Sequence, residues 1–182
     1  MDSLRVVPEM AVTAIGSDRP GIVAAVTGAL LGLGGNVEDS QMTILGGHFA
    51  VMLLVDVPAG VGREAVVERL GDVAMEHELE AISVAEVGAG STTAPPSHVL
   101  SVYGADRPGI VHAVSSTLAE VGVNITDLET KLTGSDDAPV YVMVLEVTLG
   151  DASPSGVESA LLRAGGETGV EVSLRELDAE AL

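Results

Sequence analysis

The sequence predicts an α+β fold made twice over, each half a β-α-β-β-α-β unit with an antiparallel sheet and both helices on one face. Three observations carry that expectation. The chain repeats itself at an offset of 88, with Asp18-Arg19-Pro20-Gly21-Ile22-Val23 returning as Asp106-Arg107-Pro108-Gly109-Ile110-Val111. Gly16 and Gly104, Ala25 and Ala113, Leu30 and Leu118, Gly34 and Gly122, Asn36 and Asn124, and Asp39 and Asp127 follow the same offset. Residues 11–42 match their second copy at 13 positions without a gap. Each half shows strand, helix, strand, strand, helix, strand periodicity in that order. Between the halves lies Gly88-Ala89-Gly90-Ser91-Thr92-Thr93-Ala94-Pro95-Pro96-Ser97, small, polar and ended by proline, as a linker is. The expected boundaries are residues 1–88, a linker at 89–97, and residues 98–182.

The first strand is expected over Met10–Ile15 and over Val99–Tyr103, each β-rich and ending near a glycine. A helix follows, with Pro20 or Pro108 expected in its first turn, where a missing N–H is no loss. Ile22, Val23, Val26, Leu30 and Leu33 recur as Ile110, Val111, Val114, Leu118 and Val121, spaced by threes and fours so as to form one apolar stripe. Gly34 and Gly122 suit a left-handed helix end. Two strands come next, Val37–Leu45 and Phe49–Val57, turning at Gly46-Gly47, with counterparts at Ile125–Leu132 and Val140–Leu149. A short insertion around Thr133–Pro139 separates the second pair, so that Phe49 answers to Tyr141. A second helix (Arg63–Glu78; Ser155–Gly165) and a final strand (Ala81–Val87; Val170–Leu177) complete each half. The order is that of the split βαβ, ferredoxin-like arrangement. Its sheet keeps one face free of helices, and a second copy or a partner chain is the expected cover.

Composition narrows the function. Of 182 residues, 47% are hydrophobic and the mean hydropathy is +0.43, ample for two cores. Acidic residues outnumber basic ones by 27 to 8, for a net charge of −19. The halves share that imbalance, with 13 acids and 4 bases before residue 89 and 14 and 4 after residue 97. Such a field repels phosphate backbones, and the three aromatics Phe49, Tyr103 and Tyr141 offer no stacking platform. Direct nucleic-acid binding is not expected. With no cysteine there are no thiolate metal sites or thiol nucleophiles. The start, Met-Asp-Ser-Leu-Arg, lacks a secretory pattern, and the most apolar run, Ala50–Val55, is far short of the roughly 20 residues of a membrane span. A cytoplasmic protein without membrane contact is expected.

The strand, the Asp-Arg-Pro-Gly-Ile-Val opening a helix, and the Gly-x-Asn-[Val/Ile] opening the second strand resemble the ACT domain, a small amino-acid-sensing module of ferredoxin-like fold. The resemblance covers both halves. Within the family, the run Thr13–Val23, with Asn36-Val37-Glu38-Asp39-Ser40 and Phe49 later, is most similar to the bacterial glycine cleavage system transcriptional repressor type. It implies an amino-acid site between paired domains, lined by the loop, the first helical turn and the Asn of the second strand. Carried over, those positions are Asp18, Gly21, Ile22, Val23 and Asn36, with Asp106, Gly109, Ile110, Val111 and Asn124. Some serine-sensing members have His and Asn where Gly16 and Asp18, or Gly104 and Asp106, stand here.

The chemistry of these residues agrees with that implication. A loop running into a helix start presents unpaired N–H groups and the positive end of the helix dipole to a carboxylate. Gly21 and Gly109 let a ligand approach the backbone. Asn36 and Asn124 both donate and accept, and Asp18 and Asp106 suit an ammonium group. Arg19 and Arg107 have no evident role. For folding alone, Asp18 would cap its helix and Asn36 would shape a turn.

Other signals lead nowhere. Gly60-Val61-Gly62-Arg63-Glu64-Ala65 fits a dinucleotide pattern, but the linker leaves no space for further strand–helix units. His48, His77, His98 and His112 lack ligand spacing. Glu64, Glu68, Asp72 and Glu76 form a solvated helix stripe, or a docking face for a basic partner. The expectation is a non-enzymatic regulator, without cofactor, that binds an amino acid and signals to a protein partner as a homodimer. The alternatives are a ligand-free assembly module and a regulatory subunit of a metabolic enzyme.

Overall fold

The computed structural model of the chain describes residues 9–88, 94–135 and 138–177. The chain divides into two compact units, Met1–Ser91 and Thr92–Leu182. In the first, β1 (Glu9–Ser17), α1 (Ile22–Gly32), β2 (Asn36–Leu45), β3 (His48–Asp56), α2 (Arg63–Glu76) and β4 (Leu79–Val87) follow in order. The second repeats them as β5 (His98–Gly104), α3 (Ile110–Glu120), β6 (Asn124–Ser135), β7 (Ala138–Thr148), α4 (Pro154–Thr168) and β8 (Val170–Glu176). The sheets run β2-β3-β1-β4 and β6-β7-β5-β8, and every neighbouring pair is antiparallel. This is the ferredoxin-like arrangement, present twice.

Each core lies between a sheet and its two helices. Alternate residues of β1 and β3 (Met10, Val12, Ala14; Phe49, Val51, Leu53, Val55) meet Ile22, Val26 and Leu30 of α1 and Val66, Leu70 and Val73 of α2. Leu100, Val102, Met143, Leu145 and Val147 do the same with Ile110, Val114, Leu118, Val157 and Leu161. Burying an aliphatic side chain of this size stabilises by roughly 1.5–3 kcal/mol. The edge strands β2 and β6 are exposed along nearly their whole length.

The two copies solve their local problems alike. Gly34 (φ 77) and Gly122 (φ 76) leave their helices in the left-handed region. Gly34 N–H donates to Leu31 and Gly35 N–H to Leu30, while Gly122 N–H donates to Ala119 and Val123 N–H to Leu118. That pair of bonds closes a Schellman end in both units. Gly46 and Gly47 both have positive φ, as a two-residue hairpin turn of the first primed type demands. The edge ladder is bulged between Val37 and Asp39, and again between Ile125 and Asp127. The insertion lengthens the β6–β7 hairpin out to the pair Ser135 and Ala138.

Several expectations are corrected. Pro20 and Pro108 are not in the first helical turn but precede the N-cap residues Gly21 and Gly109. Gly21 (φ 99, ψ −15) and Gly109 (φ 98, ψ −6) have the backbone of the third residue of a type II turn, in which proline is favoured second. Pro-Gly is therefore a turn before the helix. Helix α2 stops at Glu76, and Glu78 leaves it at φ 51. Helix α4 runs past Gly165 to Thr168, because Gly165 is a close-approach glycine: a Cβ there would stand 2.8 Å from the Val170 carbonyl oxygen. Of the expected linker, residues 89–93 lie outside the described residues. Ser97 joins the second unit, its N–H donating to Val147 and its carbonyl accepting from Leu177, both at 2.9 Å.

Candidate functional site

The repeated loop is built by its turn. Strand β1 ends at Ser17, and the Asp18 N–H donates to the Gly47 carbonyl at 2.9 Å, fastening the loop to the β2–β3 hairpin. The type II turn then aims the chain into α1, whose first intrahelical bond runs from Ala25 N–H to Gly21 at 2.9 Å; Ala113 N–H and Gly109 repeat it. No side chain caps α1 or α3. Helix α4, by contrast, has the Ser153 hydroxyl accepting from Gly156 N–H at 3.3 Å. The N–H groups of Ile22, Val23 and Ala24, and of Ile110, Val111 and His112, therefore precede the first intrahelical donor and lack side-chain caps.

A cavity opens at this point in each unit. Asp18, Gly21, Ile22 and Val23 line the first, together with Met42 and Phe49. Asp106, Gly109, Ile110 and Val111 line the second, together with His112 and Tyr141. Ile22 and Ile110 are almost fully buried and chiefly anchor the helix, whereas Val23 and Val111 are exposed. Asp18 and Asp106 are exposed and cap nothing. The glycines owe their identity to positive φ, and a Cβ at Gly21 or Gly109 would meet nothing within 4 Å. Met42, Phe49, His112 and Tyr141 are not among the site residues expected from sequence; the signal for two of them is the pairing of Phe49 with Tyr141 across the insertion.

The two asparagines stand elsewhere. Asn36 pairs with Asp56 at the end of the sheet where β1 begins, while Asp18 follows the other end of β1, where Ser17 pairs with His48. Some nine strand residues separate those ends, roughly 30 Å. Asn36 donates its amide to the Glu38 carboxylate and lines a groove between α1 and β2 with Thr27, Gly28 and Leu31. Asn124 holds the equivalent place, opposite Thr148 on β7. A single unit thus brings together the loop and the helix start, and leaves its asparagine behind.

The arginines do have a role. Arg19 lines the first cavity beside Asp18 and also pairs with the Glu78 carboxylate, just beyond α2. Arg107 lies over Gly169, the left-handed C-cap of α4, where an added Cβ would stand 3.1 Å from its guanidinium. In both units the arginine lies at the end of the second helix, paired with Glu78 in the first and beside Gly169 in the second, where a cation meets the negative end of the helix dipole.

Gly16 and Gly104 are required by packing. A Cβ on Gly16 would lie 3.1 Å from the Leu79 side chain and 3.3 Å from its Cα. On Gly104 it would lie 2.8 Å from Val170 Cγ1 and 3.1 Å from Val170 Cα. The backbone as it stands leaves less room for a side chain at Gly104 than at Gly16.

Electrostatically the cavities differ. Burial raises the Tyr141 hydroxyl above its ordinary value, the Asp106 carboxylate raises it further, and the Thr130 hydroxyl acts against both. The hydrogen bond and the charge of Arg19 hold the Glu78 carboxyl below the usual carboxylate range. Among the described residues there is no group of three His, Asp or Glu placed to hold a metal ion. Among them, too, no helix is long and apolar enough to cross a membrane.

Comparison with known proteins supplies the context. Family profiles described as the ACT domain match residues 9–83 and 98–166. A UPF0237 protein of Methanopyrus kandleri is 40% identical over 80 residues, 44% of this chain and 87% of its own. The glycine cleavage system transcriptional repressor of Escherichia coli is 41% identical over 46 residues, 25% of this chain and 24% of its own. Only a quarter of that repressor is therefore matched. Among solved structures, an unknown protein from Galdieria sulphuraria superposes with a TM-score of 0.77 at 32% identity, over 94% of this chain and 99% of that one. A candidate glycine cleavage system transcriptional repressor superposes with a TM-score of 0.69 at 16% identity, over 95% and 99%. At that identity the likeness is one of fold.

Proposed function

The chain belongs to the ACT-domain family, with two such domains in tandem, and from that membership we propose that it is a non-enzymatic sensor of amino acids that passes the signal to a protein partner. The observation that carries this reading is the loop-and-helix-start cavity, which occurs in both units with the same six loop residues. Its uncapped N–H groups donate to a carboxylate, and the Asp18 or Asp106 carboxylate at the rim accepts from an ammonium group. One α-amino acid carries both groups. Asn36 and Asn124 stand at the far end of their own sheets, so within each unit the loop and the helix start hold the ligand. A ligand that binds one arrangement of the protein better than another shifts the population toward it, and that difference is what a partner reads. A homodimer is part of the proposal, as is control of transcription through a protein partner, because a chain of −19 does not seek DNA.

The test is a dye-based thermal-shift screen of the purified protein against the twenty amino acids and common nucleotides. A ligand at about 100 times its dissociation constant stabilises by roughly 2.7 kcal/mol, or roughly 5–10 °C for a chain of this size. A shift by one amino acid or a small group of them supports the sensor. A flat screen overturns it.

One observation favours a second reading, a ligand-free assembly module. Strands β2 and β6 lie at sheet edges and are exposed along their length, and such edges pair readily with another chain. Under that reading the flat screen coincides with a stable dimer in sedimentation.

A further inference from the structure

The two cavities differ at positions around their shared loop. Ala24 on α1 is answered by His112 on α3, at the offset of 88. Met42 pairs with Val51 across the β2–β3 ladder, and its counterpart Thr130 pairs with Met143 across β6–β7. Phe49 pairs with Ile44, and Tyr141 pairs with Leu132, so the ladders identify Phe49 with Tyr141 despite the longer second hairpin. Ala24, Met42 and Phe49 line the first cavity with carbon and sulfur alone. His112 and Tyr141 line the second, and Thr130 takes the register position of Met42 on the neighbouring strand. The His112 ring is steadied on its own helix, Nδ1 lying 3.4 Å from the Ser116 hydroxyl.

We infer that the two units recognise different amino acids: the first takes an apolar side chain against Met42 and Phe49, the second a hydroxyl or carboxamide side chain that hydrogen-bonds to Tyr141 and His112. The inference rests on the amino-acid reading above. Identical loops bind what all amino acids share, the carboxylate and ammonium, and the three divergent positions meet what distinguishes them. A polar side chain against Met42 and Phe49 gives up its water without replacement. An apolar one against Tyr141 and His112 displaces water from their polar atoms without offering a hydrogen bond in return, a ground for rejection.

Calorimetric titration of the full chain separates the possibilities, with leucine, valine and methionine as apolar probes and serine, threonine and glutamine as polar ones. The expected result is one site per chain for each class, with neither class displacing the other. Tyr141→Phe, which removes a single oxygen, weakens only the polar class, by about three- to tenfold. His112→Ala/Thr130→Met/Tyr141→Phe raises the apolar stoichiometry from one to two per chain. Competition of both classes for the same sites, or equal effects of Tyr141→Phe on both, overturns the specialisation and leaves the sensor standing. Absence of binding by every probe overturns this inference, and together with a flat screen of all twenty amino acids it overturns the sensor as well.

Discussion

Arg19 and Glu78 form an ion pair 59 positions apart in the chain, and Glu78 is a non-glycine residue in the left-handed region. Glu78 stands at φ 51, and its counterpart in the second unit is Gly169, at φ 73, beneath Arg107. One unit uses an ionic partner where the other uses glycine. Arg19→Ala should lower the melting temperature of the first unit, and less so in a Glu78→Gly background, where the backbone is already at ease. Because pairing depresses the Glu78 pKa, its contribution is present above the unfolded carboxylate range and is lost as pH falls through the depressed value. Thermal melts of the four chains, at neutral and acidic pH and at low and high salt, check the coupling. Equal losses in both backgrounds refute it.

Gly16 and Gly104 should differ in how they tolerate a methyl group. At Gly104 the new Cβ meets a β-branched side chain at 2.8 Å with backbone just behind it, whereas at Gly16 the nearest atom is the far end of Leu79 at 3.1 Å. Gly104→Ala should cost about 1–3 kcal/mol, as overpacking does, and Gly16→Ala less. Urea unfolding measures both, and the opposite ranking contradicts the packing account.

Asp18 and Asp106 cap no helix, so their replacement should separate binding from folding. Asp18→Asn and Asp106→Asn are expected to change stability by no more than about 0.5 kcal/mol, the usual range for a surface change. Each should weaken the amino-acid response of its own unit. A large loss of stability without ligand would return these residues to a structural role.

Tyr141 offers a titration that reports on the second cavity. In a Tyr103→Phe chain, ultraviolet absorbance should show the remaining tyrosine ionising above its ordinary value of 10.0. Asp106→Asn should bring it part of the way back, since burial remains. The sign for stability follows: the contribution is complete below the unfolded tyrosine value and fades as pH rises through the higher folded one. No change on Asp106→Asn would mean the two groups do not interact.

Much of the architecture was legible in the residue order. The offset of 88, the three-and-four spacing of Ile22, Val26 and Leu30, the Gly46-Gly47 turn and the helix-ending Gly34 and Gly122 act within a few neighbours. Local periodicity and backbone permissiveness suffice to announce them. The Pro-Gly turn was misplaced by one step, because proline suits both a first helical turn and the second place of a type II turn, and only the φ of Gly21 distinguishes them.

What the sequence by itself determined was the repeated fold and the loop at its centre: periodicity, turn glycines and a duplicated motif are properties of order along the chain. The tertiary structure alone decided which residues face that loop. Met42, Phe49 and Tyr141 reach it through ladder register, Arg19 pairs with a residue 59 positions away, and Asn36 lies at the opposite end of its own sheet. These are relations between distant segments, set by strand pairing and by what packs against what, and no spacing along the chain encodes them.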